Sequence, residues 1–165
     1  MVDRNDEALD ERDYQILREL QRNARIRVVD LANRISLSPS PCFSRLKRLE
    51  DSGVIKGYTA ILDYEKLGKP VVAYVNVTLS SHTRREFDQF ERLVNDIPEI
   101  VSCNLISGDF DYMLKIVALN IDQLHSLASV MFAKTNSIAK HFTFISTKEV
   151  KDRGIVPVDF FLDRV

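Results

Sequence analysis

The chain has 165 residues, 45% of them hydrophobic, which is enough to bury one generous core or two small ones. Its net charge of −1 gives no bulk signal for a polyanionic partner, yet the charge is unevenly placed. Cys42 and Cys103 are isolated and His82, His125 and His141 lie far apart, so neither a disulfide framework nor a metal site is expected.

Residues 1–13 carry six acids against two bases, whereas residues 14–64 carry nine bases against five acids. Such an asymmetry suits a module that meets phosphate, although a solvated mixed-charge surface accounts for it equally well. The acidic N-terminus, sparse in apolar residues, leads to the expectation of no signal peptide, and the longest apolar stretch, residues 71–79, is far too short to span a bilayer. A soluble cytoplasmic protein with no membrane partner is expected. With no phosphate-binding glycine loop, nucleophile elbow or metal spacing, no catalytic residue and no cofactor is expected either.

The first module reads as three helices. Asp10 is a candidate N-cap with Asp13 three residues on, and Ile16, Leu17 and Leu20 supply an apolar stripe to about Asn23. A second helix is predicted from Val28 to Ile35, with Leu31, Ala32 and Ile35 inward. The turn Ser36-Leu37-Ser38 then leads into a third helix with sharp boundaries. Ser38 suits the cap, Pro39 the first helical position and Gly53 the left-handed residue that closes the helix. Cys42, Leu46 and Leu49 fall on its apolar face, while Pro41, Ser44, Arg45 and Arg48 recur at i, i+3, i+4 and i+7 on the outer one. Two helices joined by a short turn behind a supporting helix form a helix-turn-helix, or else a plain three-helix bundle.

A duplex would meet that outer face. Arg45 and Arg48 can fork onto guanine or grip phosphate, and Ser40 and Ser44 can reach either backbone or base edges. Lys47 lies off the main face and suits backbone or solvent. The competing role for Arg48 is an ion pair with Asp51 on its own helix.

Residues 58–62 alternate weakly and read as a short strand, followed by a joint around residues 63–69. Beyond Pro70 the order is strand (71–79), helix (84–97), strand (100–106), strand (112–117), helix (121–132) and a strand beginning at Phe142. This β-α-β-β-α-β succession predicts one antiparallel sheet with both helices on one face. Val71, Tyr74, Val75 and Val77 leave neither sheet face wholly polar, so a second subunit is the economical cover. The connector Ser107-Gly108-Asp109-Phe110-Asp111 reads as a turn.

Four motifs in order and spacing carry a resemblance over about residues 9–151. They are Leu37-Ser38-Pro39-Ser40-Pro41-Cys42, Arg45-Leu46-Lys47-Arg48-Leu49-Glu50, Gly53-Val54-Ile55-Lys56-Gly57-Tyr58 and Ser107-Gly108-Asp109-Phe110-Asp111-Tyr112. The chain resembles the Lrp/AsnC, or feast/famine, transcriptional regulators of bacteria and archaea. The resemblance implies an α+β chain: an acidic tail (1–13), a winged-type helix-turn-helix domain (14–60), a hinge strand and linker (61–70), a ferredoxin-like sensing and oligomerisation domain (71–151) and a C-terminal tail (152–165). It implies sequence-specific binding of double-stranded DNA at inverted-repeat promoter sites through Ser38, Ser40, Pro41, Ser44, Arg45, Lys47 and Arg48, and a nucleoid-associated protein. Homodimers that assemble into tetramers or octamers are implied as well, with an amino-acid effector bound between sensing domains. Leu105, Ser107, Gly108, Asp109, Asp111, Ile121, Phe144 and Ile145 would line that pocket, with Asp109 or Asp111 suiting an α-ammonium group.

Two positions depart from the family pattern. Arg27 stands where a serine cap is usual, and Ser36 where the turn usually has glycine, costing on the order of 1 kcal/mol if its backbone is left-handed. The tail Gly154–Val165 matches no pattern; its apolar content suits docking on a subunit surface, and a frayed terminus is the alternative. DNA compaction without an effector, or an enzyme built on the ferredoxin-like half, are the rival functions.

Overall fold

A computed structural model describes residues 9–134, 137–151 and 154–164; most of the acidic tail lies outside them. The chain forms two compact units. Residues up to 61 join residues 151–165 in the first, and residues 62–150 form the second.

In the first unit, α1 (Glu11–Arg22) opens with a complete capping box. Asp10 Oδ1 accepts from the Asp13 backbone N–H at 2.9 Å, and Asp13 Oδ2 accepts from the Asp10 N–H at 3.0 Å. α2 (Val28–Arg34) begins at Arg27, whose side chain caps nothing and instead pairs with Asp30 at 2.7 Å. The chain turns at Ser36, which takes the left-handed conformation (φ 54°), and enters α3 (Pro39–Asp51). Pro39 occupies the first turn, but Ser38 makes no side-chain cap bond, contrary to the sequence expectation. At the other end Gly53 (φ 75°) turns the chain so that the Ile55 N–H reaches the Leu49 carbonyl at 3.0 Å. Ile16, Leu31, Ala32, Ile35, Cys42 and Leu49 form the core of the unit.

Residues 58–62, expected as a hinge strand, are exposed and take part in no ladder among the described residues. The joint contains instead a single helical turn, α4 (Tyr64–Leu67), ended by Gly68.

The second unit is a four-stranded antiparallel sheet, order β2-β3-β1-β4. Its strands are β1 (Val71–Leu79), β2 (Ile100–Leu105), β3 (Tyr112–Ala118) and β4 (Ile138–Ile145), with α5 (Arg84–Asn95) and α6 (Ile121–Lys134) as the crossovers. Alternation fixes the faces. Ala73, Val75, Val77 and Leu79 of β1 and Tyr112, Leu114, Ile116 and Ala118 of β3 are buried with Phe90 and Val94 of α5 and Leu124 and Met131 of α6. Phe90 and Tyr112 stack with centroids 4.6 Å apart, and the Tyr112 hydroxyl donates to Glu91 at 2.8 Å. This is the ferredoxin-like plan read from the element order. On its other face Tyr74, Phe142 and Phe144 stand exposed, and the buried Asn76 Oδ1 atom has no partner among the described residues.

Candidate DNA-binding and effector surfaces

Burial of Cys42 and Leu49 fixes the rotation of α3. Ser40, Phe43, Ser44 and Lys47 are exposed at i, i+3, i+4 and i+7, with Ser38 and Pro41 exposed beside the N-terminal turn. Sequence reasoning placed Arg45 and Arg48 on this outward ridge and Lys47 off it. The structure reverses that placement. Arg45 Nη1 donates to Asp10 at 2.6 Å and to Asp13 at 3.0 Å, and Arg48 Nη2 donates to Asp13 at 2.5 Å. The Asp13 carboxylate is fully buried, and a buried carboxylate needs counter-charge, so both arginines lean toward α1. Arg48 therefore pairs across helices rather than with Asp51. The Arg45 and Arg48 side chains keep 32% and 36% of their surface open, which leaves part of each guanidinium at the flank of the ridge.

The ion pairs shift the groups that form them. Asp10, then Asp13, stabilise the charged form of Arg45 and push its pKa up. Desolvation raises the Asp10 carboxyl, but the backbone N–H of Asp13 and the Arg45 guanidinium outweigh it and hold the group below its ordinary value. Phe43 was missed on the sequence, although its spacing from Ser40 and Lys47 places it on the same stripe. An exposed phenyl ring between two hydroxyls and a cation can meet a thymine methyl while its neighbours take polar edges.

The expected effector residues fall into two groups. Leu105 pairs with Tyr112, which lies beside Val77, whereas Ile145 pairs with Ala73, four residues away along β1 and three strands across the sheet. From strand spacing and rise, the two corners are about 19 Å apart. Ser107, Gly108 and Asp109 are exposed in the connector that follows Leu105. Ile121 opens α6 just after β3 ends, at the end of the sheet where β4 also ends, with β1 between the two strands. Within one chain these residues do not converge.

Asp111 is occupied. Its Oδ2 accepts from the Leu79 N–H at 2.7 Å, and its Oδ1 lies 2.9 Å from His82 Nε2. Its main chain also bridges Ile106 and Val77. Asp111 thus fastens the connector to the end of β1, and the exposed Asp109 is the carboxylate left available. A substituted Cβ at Gly108 would meet only Ile106 Cγ2 at 3.8 Å, so the connector stands open around it.

Residues 9–56 match the winged helix-turn-helix DNA-binding family, and residues 72–156 match the Lrp/AsnC ligand binding domain. The chain belongs to the Lrp/AsnC family. The leucine-responsive regulatory protein of Haemophilus influenzae is 38% identical over 94% of this chain and 94% of the relative. The transcriptional regulatory protein DoeX of Halomonas elongata is 41% identical over 87% of this chain and 90% of the relative. An AsnC family regulator from Agrobacterium tumefaciens superposes with a TM-score of 0.85 at 32% identity, covering 92% of this chain and 99% of that one. A Neisseria meningitidis regulator solved with L-methionine gives the same TM-score at 29% identity, covering 93% and 99%. As an Lrp/AsnC protein, the chain is a DNA-binding transcriptional regulator with a ligand-binding domain. No helix among its described residues is long and apolar enough to cross a membrane.

Proposed function

We propose that this Lrp/AsnC regulator reads an inverted-repeat DNA site as a homodimer and adjusts its assembly to an amino acid bound between protomers. The observation that carries the DNA half is the exposed stripe Ser40–Phe43–Ser44–Lys47 on a helix with both ends sharply set. Lys47, Ser40 and Ser44 meet the groove directly, Ser38 and Pro41 approach the backbone at the helix start, and Arg45 and Arg48 supply phosphate contacts from the flank. Half-sites would lie about 34–36 Å apart or a multiple of that.

The uncovered sheet face supports dimerisation. Tyr74 and Phe144 are cross-strand neighbours, as are Asn76 and Phe142, so an exposed apolar patch lies across β1 and β4 that a matching face would bury. Dimers that pair further into tetramers or octamers would bring the connector of one protomer against the end of the sheet that carries Ile121, Phe144 and Ile145 in another. That arrangement fits residues separated by about 19 Å in one chain. In such a pocket Asp109 pairs the ligand ammonium, while Leu105, Ile121, Phe144 and Ile145, all exposed here, take its side chain. An apolar amino acid fits this rim, in line with the leucine-responsive and methionine-bound relatives.

For the ligand to act as an effector it must favour one assembly over another, typically by about 1–3 kcal/mol. The test is titration of labelled genomic fragments enriched by the protein, with each of the common amino acids added in turn. A change in affinity or stoichiometry with an apolar amino acid, abolished by Asp109→Ala, is expected. No response to any amino acid refutes the sensing half.

A further inference from the structure

Four arginines gather on the side of α1 that faces the end of α2. A cleft of about 390 Å³ between α1 and the end of α2 is lined by Arg12, Arg18, Arg22 and Arg34 with Glu19 among them. Its size falls within the range of small-molecule sites. Each Glu19 oxygen already accepts one guanidinium N–H, from Arg22 and Arg34 at 2.7 Å, and those bonds, Arg34's first, hold its carboxyl below the ordinary value.

The guanidiniums are only partly used. Arg12, Arg22 and Arg34 each commit the Nη1 nitrogen alone, Arg12 to Gln15 and the Ile35 carbonyl, so their other donors have no partner among the described residues. Four cations therefore face one carboxylate inside the cleft.

A second carboxylate arrives from the far end of the chain. A terminal 3-10 helix (Val158–Arg164) packs on α1, where Val158 is buried. Asp159 Oδ1 accepts from Arg18 Nε at 2.7 Å and from Arg18 Nη2 at 2.5 Å. Gln21 clasps the same segment, donating to the Val156 carbonyl at 2.9 Å and accepting from the Val158 N–H at 3.0 Å. The tail thus pairs an anion with Arg18, one of the arginines that line the cleft.

We propose that this cleft is a phosphate-anion site and that Asp159 is the chain's own competitor for it. Forked guanidiniums match the oxygens of a phosphate, which carries more charge and more acceptors than a carboxylate. Asp159 is half exposed, and an ion pair of that kind is weakly held, so a linked phosphate group can displace it. The phosphates come either from a free polyphosphorylated compound or from the backbone of bound DNA.

Calorimetric titration of the full chain with tripolyphosphate at low salt tests the site. Saturable binding is expected, weakened about tenfold or more by Arg18→Gln combined with Arg34→Gln and tightened several-fold by Asp159→Asn. Asp159→Asn changes an exposed side chain and keeps the test decisive where the arginine variant fails to fold. Affinity that is the same in wild type and Asp159→Asn, or an isotherm that does not saturate, overturns the proposal.

The source is read from DNA binding. If backbone phosphate fills the cleft, the arginine variant lowers the slope of log affinity against log salt by about one for each phosphate no longer neutralised. An unchanged slope together with abolished tripolyphosphate binding assigns the site to a free compound. Lys47→Ala separates this from the α3 assignment: it weakens DNA binding and leaves the tripolyphosphate isotherm in place.

Discussion

Asp13→Asn isolates the interaction that holds α1 on α3. The side chain is fully buried and accepts three hydrogen bonds, from the Asp10 N–H, Arg45 and Arg48. Asparagine keeps the shape but carries no charge, and its amide N–H₂ must face one guanidinium or the Asp10 donor. Removing one member of a buried ion pair costs about 3–5 kcal/mol when the remaining charge is trapped. Here Arg45 and Arg48 are each about one-third exposed and can turn to water, and Asp10 still engages Arg45, so part of that cost is recovered. About 2 kcal/mol remains, which would lower the melting temperature of the helical unit by about 8–16 °C. Differential scanning calorimetry with the two units followed separately reads this shift. At a temperature where the variant is folded, its affinity for DNA should hold or rise, because the buried carboxylate no longer draws Arg45 and Arg48 toward α1. A melting temperature unchanged within about 2 °C would refute the reasoning, since the tie would then add nothing to the packing.

Ser36→Gly should raise the urea midpoint, because glycine accepts the left-handed conformation at φ 54° that costs an L-residue about 1 kcal/mol; a lowered midpoint contradicts this. Phe90→Ala removes a fully buried ring stacked on Tyr112 and should cost about 3–5 kcal/mol in the transition of the sheet unit, leaving that of the helical unit in place. Glu19 has its folded pKa lowered by Arg34 and Arg22, so its stabilisation is fully present above the unfolded value near 4.5 and is lost as pH falls through the folded value. The gap in urea midpoint between wild type and Glu19→Gln should therefore be constant around neutrality and close in acid; a gap that widens in acid reverses the sign.

The features that sequence reasoning placed correctly are local ones. The Asp10–Asp13 capping box, Pro39 in the first turn of α3 and the Gly53 closure each depend on residues within a few positions of one another. The element order of the sensing domain was legible for a similar reason, since the strand and helix periods differ. What failed depends on distant partners. Asp13 lies 32 and 35 residues from Arg45 and Arg48, so nothing in the local pattern of α3 showed that its arginines were already engaged while Lys47 stood free to face a ligand. Residues 58–62 alternate like a strand, but a strand exists only beside another, and none of the described residues pairs with them. Asp111 looked equivalent to Asp109 in a turn, and only the approach of Leu79 and His82 distinguishes them. The tail, without a recognisable motif, gave no sign that Asp159 would reach Arg18.

The exposed stripe of α3 is best tested by site-directed photo-crosslinking on DNA enriched from the genome. A benzophenone side chain is placed at Phe43 on the stripe, or at Val130 on the exposed side of α6, in otherwise wild-type protein. Covalent attachment to the duplex from position 43 and none from position 130 is the result expected. Attachment from position 130 alone, with position 43 silent on bound DNA, would contradict the assignment of α3 as the element that enters the groove.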